Sequence, residues 1–439
     1  MTLDLQGNPL LCASATAAQS FDAALRSYAT YHGDPIKLID QGLQDSPDCA
    51  MLWLARAWLH ALATEPGATQ IARTHLAHVA TLPQGPRETA HAEALAHLLN
   101  GNWTEAGIRL EQHTALMPHD LLAVQSGHLI DFFSAASRSL RDRMARVLPL
   151  WTDVPGASWV MGMAAFGLEE TGDYARAEAY GREAVRLDPK DSWAHHAVAH
   201  VMEMMGRPQD GLQWMAERKP YWASEDDGLQ THNWWHLALC HLESDDLEGA
   251  LALYDGPIRG KGKAYTLALA DASALLWRLD LSGADIGNRW EELSTKWQAQ
   301  SDPGSYAFND LHEAMAHLGA GRADLAEKLL NAPRNTTEAG LWMERFGRPL
   351  IEGFIAFKRR DFGLAADRLM AARHIQGGFG GSHAQRDVID WTLQEVALQG
   401  KMSGLSEALA LERLALRPHS PVNQGFLRRA VQLKRGPVT

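Results

Sequence analysis

Gly172 and Gly206 lie 34 residues apart, and the apolar residues between them recur at spacings of three and four. That length holds two helices and two turns. A chain that repeats it can bury its apolar stripes only by stacking one helical hairpin on the next. In "TGDYARAEAYGREAVRLDP" the turn glycine Gly172 is followed by an aromatic residue (Tyr174), two small residues (Ala177, Ala184) and a helix-ending proline (Pro189). "NGNWTEAGIRLEQHTALMP" repeats the order with Gly101, Trp103, Ala106 and Pro118. Fainter copies follow at Asp245, Leu247, Ala250 and Tyr254, at Gly321, Ala323 and Ala326, and at Arg360, Phe362 and Ala365. Small residues are needed where the helices of a hairpin cross closely, and glycine where the turn takes a positive φ.

Breakers such as "HGDP" at 32–35, "PQGP" at 83–86, "SDD" at 244–246 and "GGFGGS" at 377–382 cut the chain into helices of about twelve to eighteen residues joined by tight turns. Alternating apolar patterns are nearly absent, and Ala and Leu dominate over Val, Ile and Thr. The fold expected is all-α: a solenoid of stacked tetratricopeptide-like hairpins curving into a superhelix. It takes up residues 20–439 as a single domain, after an N-terminal extension at 1–19.

The chain has 439 residues, of which 46% are apolar, enough for a large core. A formal net charge of -12 without a long basic run argues against nucleic-acid and anionic-membrane partners. The basic C-terminal residues Arg428, Arg429, Lys434 and Arg435 read as a solvated last turn and tail. Cys12, Cys49 and Cys240 are too few and too scattered for a disulfide framework or a thiolate zinc site. The first residues carry Asp4, Gln6 and Asn8 where a secretory signal would be apolar, and no stretch is long enough to cross a membrane. A cytoplasmic location is expected. The 15 tryptophans and 20 histidines are an excess that suits the lining of a binding site as well as a core.

Together with the repeats, "WAHHAVAHVMEMMGR" (193–207), "HNWWHLALCHLE" (232–243), "ALYD" (252–255) and "GGSHAQRDV" (380–388) resemble the family of tetratricopeptide repeat protein thirty-eight, from about residue 20 to the end of the chain. The resemblance implies an all-helical solenoid and a soluble protein, and it implies no particular activity.

Chemistry is suggested where histidines accumulate. His196 and His200 are four apart and Glu203 three further on, so they share one helical face. Aligned on Gly206, that face lines the concave groove of the repeat, whereas His195 falls on the packing face. The next first-helix places His232 and Trp235 near groove positions, with His236 ambiguous by one residue of alignment; His97, His241 and His317 fall at hairpin-core positions and read as structural. Trp193 and Trp235 are aromatic candidates for ligand contact. In "GGFGGSHAQRD", Ser382 is an N-cap candidate, and the glycine loop with Arg386 can hold an anion while His383 and Asp387 form an acid–base pair. The competing reading is a repeat connector before a capped, solvated helix.

Other motifs fail on spacing. The histidines of "HEAMAH" (312–317) are five apart instead of the four a zinc-protease helix needs, and "GPIRGKGKA" (256–264) is not a phosphate loop. Neither a nucleophile elbow nor a dinucleotide fingerprint occurs, so no nucleotide cofactor is expected.

Two functions of different class follow. The first is a His-, Trp- and acid-lined concave pocket for a small polar molecule. Its enzymatic version is a hydrolase or lyase in which His196, His200, His232 or His383 acts as base, oriented by Glu203 or Asp387. A divalent metal, if present, would sit on His196, His200 and His232. The alternative is a non-catalytic adaptor that grips a short peptide or a protein in the groove.

Overall fold

The computed structural model describes residues 2–260, 265–332, 336–373 and 378–435, and it is all-α, built of antiparallel hairpins stacked as a solenoid. A two-stranded ribbon, β1 (Thr2–Leu3) and β2 (Pro9–Leu10), precedes the first helix. That helix opens at Ala15 behind the N-cap Ser14, inside the stretch expected as an extension. The hairpins then run α1 (Ala15–Thr30) with α2 (Pro35–Asp45), α3 (Ala50–Ala61) with α4 (Ala68–Val79), α5 (Pro86–Leu99) with α6 (Trp103–Leu116), α7 (Leu121–Phe133) with α8 (Ser137–Val147), and α9 (Ala157–Glu169) with α10 (Tyr174–Leu187). α11 (Ser192–Met204) and α12 (Pro208–Trp222) follow. α13 (Gln230–Glu243), α14 (Leu247–Leu253), α15 (Thr266–Leu281), α16 (Arg289–Gln298), α17 (Ala307–Gly319), α18 (Ala323–Leu330), α19 (Glu338–Trp342), α20 (Arg348–Lys358), α21 (Phe362–Arg373), α22 (His383–Gln399), α23 (Ser403–Leu416) and α24 (Pro421–Arg435) complete the chain.

Two compact units divide the chain: the first holds Met1–Val198, Pro220–Gln230 and Thr337–Ala339, the second Ala199–Lys219, Thr231–Thr336 and Gly340–Thr439. The division falls inside α11, after Val198. Among the described residues no helix is long and apolar enough to cross a membrane.

One backbone device closes hairpin after hairpin. The Gly101 N–H donates to the Leu98 carbonyl and the Asn102 N–H to that of His97; Gly172 and Asp173 do the same to Glu169 and Leu168, and Lys401 and Met402 to Leu398 and Ala397. This is the paired closure of a helix C-terminus around one left-handed residue. That position is glycine at 101, 172, 206 and 321, but Ala135, Asp245, Arg360 and Lys401 hold it elsewhere, with φ of 51°, 60°, 62° and 57°. A side chain there costs about 1–2 kcal/mol. Those substitutions blur the repeat at Asp245 and Arg360.

First and second helices are buried differently. α7, α9, α15 and α17 are covered on nearly every face, as expected of helices sandwiched between neighbours. α10 buries only Ala177, Gly181, Ala184 and Val185 along one stripe. Polar residues on first helices are therefore desolvated, and each must find a partner inside the protein.

Candidate functional site: a buried histidine–carboxylate cluster

In the second unit α11, α13 and α15 converge their polar residues. His232, one turn into α13, carries its Nδ1 2.8 Å from Asp271 Oδ2 on α15. His236, the next turn of α13, has its Nδ1 3.1 Å from Glu203 Oε2 on α11. The two Nε2 atoms face each other at 3.2 Å. His200 lies against His236 with ring centroids 4.4 Å apart, and Trp235 stacks on His232 at 5.3 Å and 12°. Of the four residues of the chain Asp271–His232–His236–Glu203, the His232 side chain is the most exposed, at 12%.

Proton counting constrains this chain. Three hydrogen bonds require three protons, which leaves the four side chains with one net negative charge. Burial pushes the Glu203 carboxyl up to about 7, against the opposing influence of His200, Arg417 and Arg278. Burial first, then the neighbouring His200 and His232, holds His236 well below the usual imidazole range. The order that meets both is a protonated Glu203 donating to His236 Nδ1, His236 Nε2–H donating to His232, and His232 Nδ1–H donating to the Asp271 carboxylate.

Three neighbours on the same side were not singled out in the sequence. Arg278, two turns beyond Asp271 on α15, lies over the Trp235 ring at 5.6 Å and donates to the Ala384 carbonyl. Burial lowers it to about 10. Gln385 Nε2 donates to Asp271 Oδ1 at 3.4 Å. His312 donates Nδ1–H to the Phe308 carbonyl at 2.7 Å, which leaves Nε2 an acceptor; burial lowers it to about 4 although Asp271 is within electrostatic reach. The signal for Asp271 and Arg278 was present: two charges seven residues apart on one face of "TLALADASALLWRLDL", an otherwise apolar helix.

Several expectations are corrected. His196, His200 and Glu203, expected on the concave groove, are all buried, because first helices are enclosed on both sides. Trp193 and His196 belong to the first unit, where His196 stacks on Phe166 at 5.4 Å. Asp387 is not the partner of His383. Arg413 grips both its oxygens at 2.9 and 3.1 Å and Arg417 adds a bond of 2.6 Å, so its carboxyl stays well below the usual range despite its burial and has no proton to exchange near neutral pH.

Nor do the described residues of the glycine loop form an anion site. Gly377 lies outside the described residues, and the remainder is already engaged. Ser382 caps α22 by accepting from Gln385 N–H, its own N–H donates to Gln385 Oε1 at 3.0 Å, and Arg386 bonds the Gly381 carbonyl. The glycines are there for packing: a Cβ on Gly378 would stand 2.5 Å from Phe346, and one on Gly381 2.5 Å from Phe308.

The first unit holds a second histidine pair with a different logic. Asp120, the N-cap of α7, accepts Arg87 at 2.8 and 3.0 Å, His91 at 3.0 Å and His113 at 2.9 Å. Trp58 Nε1–H donates to His91 Nδ1 at 3.0 Å, so His91 carries its proton on Nε2 and spends it on Asp120. Asp120 stands at the centre of this hub, and Arg87 supplies its counter-charge. The hub is a packing device.

His200, His232 and His236 each offer a ring nitrogen within 4.8 Å of the others. In His232 and His236 the remote nitrogen is held by a carboxylate, the arrangement that orients histidines bound to metal.

No protein-family model matches the sequence. Among solved structures the chain is similar to the human IFIT1 dimer with PPP-AAAA, at 14% identity over 95% of both chains and a TM-score of 0.41. It is also similar to a chain of the APC/C hetero-tetramer Cut9–Hcn1, at 11% identity over 95% of this chain and 76% of that one, TM-score 0.44. Yeast Tom70 matches at 14% identity over 96% and 87% of the two chains, TM-score 0.36.

Proposed function

We propose that the second unit binds a divalent metal ion at His200, His232 and His236 and, at the open position of that ion, a small polar molecule. The carrying observation is the 3.2 Å separation of the His232 and His236 Nε2 atoms, each on a ring whose Nδ1 meets a carboxylate. Two nitrogens at 2.0–2.1 Å from one tetrahedral zinc ion stand about 3.3 Å apart. A proton shared between the rings and a metal ion bound to both are therefore served by nearly the same geometry, and the ion replaces the proton. Three histidines leave a fourth position open for water or ligand, the pattern of a metal centre that activates water for hydrolysis. Trp235 Nε1 and His312 Nε2, both buried and without a hydrogen-bond partner among the described residues, supply a donor and an acceptor for a polar ligand.

Zinc titration of the full chain, expressed without an affinity tag, tests this. One equivalent binds; His236→Ala weakens it more than a hundredfold, and Asp271→Asn, which removes an outer partner, by about 10–100-fold. His91→Ala leaves it unchanged. Equal losses in His91→Ala and His236→Ala, or no stoichiometric binding, refute the proposal.

A second reading, a peptide- or protein-binding adaptor, draws on exposed leucines in the first unit: Leu116 and Leu187, 85% and 50% exposed, end α6 and α10, the second helices of their hairpins. Replacing both by Ser abolishes partner binding if this reading holds, and leaves zinc binding untouched.

A further inference from the structure

α7 is apolar in outline, "LLAVQSGHLIDFF", yet Gln125, Ser126 and His128 are buried in it. They face Tyr28 on α1 and the start of α11, where Asp191 and Trp193 lie. His128 and Trp193 meet edge to face at 5.3 Å, Tyr28 neighbours Ser126, and Tyr31, which neighbours Gln125, stacks on Trp193 at 5.6 Å. All these residues belong to the first unit.

The set does not satisfy itself. Both ring nitrogens of His128, Asp191 Oδ2 and Trp193 Nε1 are buried and have no hydrogen-bond partner among the described residues. The other Asp191 oxygen is used, accepting Ala194 N–H at 2.9 Å. Leaving several such groups bare inside one domain would cost a large part of its stability, and buried polar groups in folded proteins are almost always paired with protein, water or ligand. The Asp120 hub of the same unit is the contrast, because there Arg87, His91 and His113 all bond one carboxylate. Trp193 has little face to offer, being ringed by Phe166 at 4.8 Å, Phe132 at 5.8 Å and Tyr31. It therefore meets a ligand through its N–H edge.

Charge decides the class of ligand. Burial lowers His128 to about 3 and raises the Asp191 carboxyl well above its usual range, so burial favours the neutral form of both. The other groups that face the set are hydroxyl, amide and indole, the His196 ring at 4.8 Å from that of Trp193, and the carboxyls of Asp188 and Asp227 within electrostatic reach of Asp191. The cation nearest His128, Arg143, is held by both oxygens of Asp131 at 2.7 and 3.1 Å. An ionised ligand would be desolvated beside charges that already have partners, Arg143 with Asp131, Asp188 with Arg26 and Asp227 with Ser192 and His32. Donors and acceptors of mixed sense, crowded among aromatic rings, suit hydroxyl groups, which can play either role.

We infer that the first unit encloses a binding site for a compact uncharged polyol, held by the Trp193 N–H, His128, Asp191 and the Ser126–Tyr28 hydroxyls. It is separate in residues and chemistry from the histidine–carboxylate cluster of the second unit.

Calorimetric titration of the full chain with myo-inositol and D-glucose, against gluconate and glucosamine as charged counterparts, tests the assignment. At least one uncharged polyol binds saturably with one equivalent, and the charged pair do not. Trp193→Phe keeps an aromatic ring but deletes the N–H and weakens binding about three- to tenfold, whereas Trp391→Phe, at a buried tryptophan of the second unit, has no effect. Should Trp193→Phe fail to fold, Ser126→Ala is read in the same way. Binding by neither polyol, binding unchanged in these variants, or a high-resolution structure holding only ordered water at saturating polyol overturns the inference.

Discussion

Glu203→Gln separates a proton-sharing cluster from an ordinary buried ion pair. Glutamine keeps the shape of the protonated acid and can donate its amide N–H to His236 Nδ1, as the Glu203 carboxyl does in the proton order derived above. Burial raises Glu203 from an ordinary 4.5 to about 7. Below pH 4.5 the residue is protonated whether the chain is folded or not, and its folded-state stability is fully present. From there to about pH 7 the unfolded chain loses the proton while the folded chain keeps it, so each unit of pH lowers stability by about 1.4 kcal/mol. Above pH 7 the loss levels off at about 3 kcal/mol. The glutamine variant carries no such slope. Stripped of metal, it matches the wild type near pH 4.5 and exceeds it by about 3 kcal/mol at pH 8. The opposite slope from His236, whose lowered pKa makes folding more favourable as pH rises through the ordinary histidine range, is common to both proteins and largely cancels in the comparison. Urea denaturation of the two proteins at half-unit steps from pH 4.5 to 8.5 gives the difference directly. A difference that stays flat with pH, or a variant less stable than wild type throughout, shows that Glu203 is ionised in the folded protein and refutes the proton order.

Zinc that replaces the proton shared by His232 and His236 releases about one proton on binding; titrations in two buffers of different ionisation enthalpy measure it, and zero release contradicts the geometry. Asp120→Ala strips Arg87, His91 and His113 of their common acceptor and lowers stability by about 3–5 kcal/mol, read from the urea midpoint, while zinc affinity stays as in the wild type. An equal loss of zinc affinity in that variant would mean that the Asp120 hub is itself a metal site.

Much of this architecture is legible in the amino-acid order. Apolar spacing of three and four, alanine-rich crossing points and the turn at Gly172 predict stacked hairpins. The same spacing places His196, His200 and Glu203 on one face and His232 and His236 on the next first-helix, and His195, assigned to packing, is buried with its Nε2 bonded to the Pro189 carbonyl. These are local properties, set by 3.6 residues per turn, and a sequence displays them directly.

What a residue meets across helices is another matter. Asp271 reaches His232 from 39 positions away, and Arg413 claims Asp387 from 26. In the second case a promising acid–base pair becomes a locked ion pair. The turn glycines at 378 and 381 suggested backbone cradling a ligand, yet Phe308, Trp342 and Phe346 occupy the space beside them. By itself, then, the sequence determined the helices, their pairing and the histidine stripes. The tertiary structure alone decided which carboxylate faces which imidazole, which acid keeps its proton and which polar atoms are left for a ligand, because those depend on distances and desolvation set by helix packing.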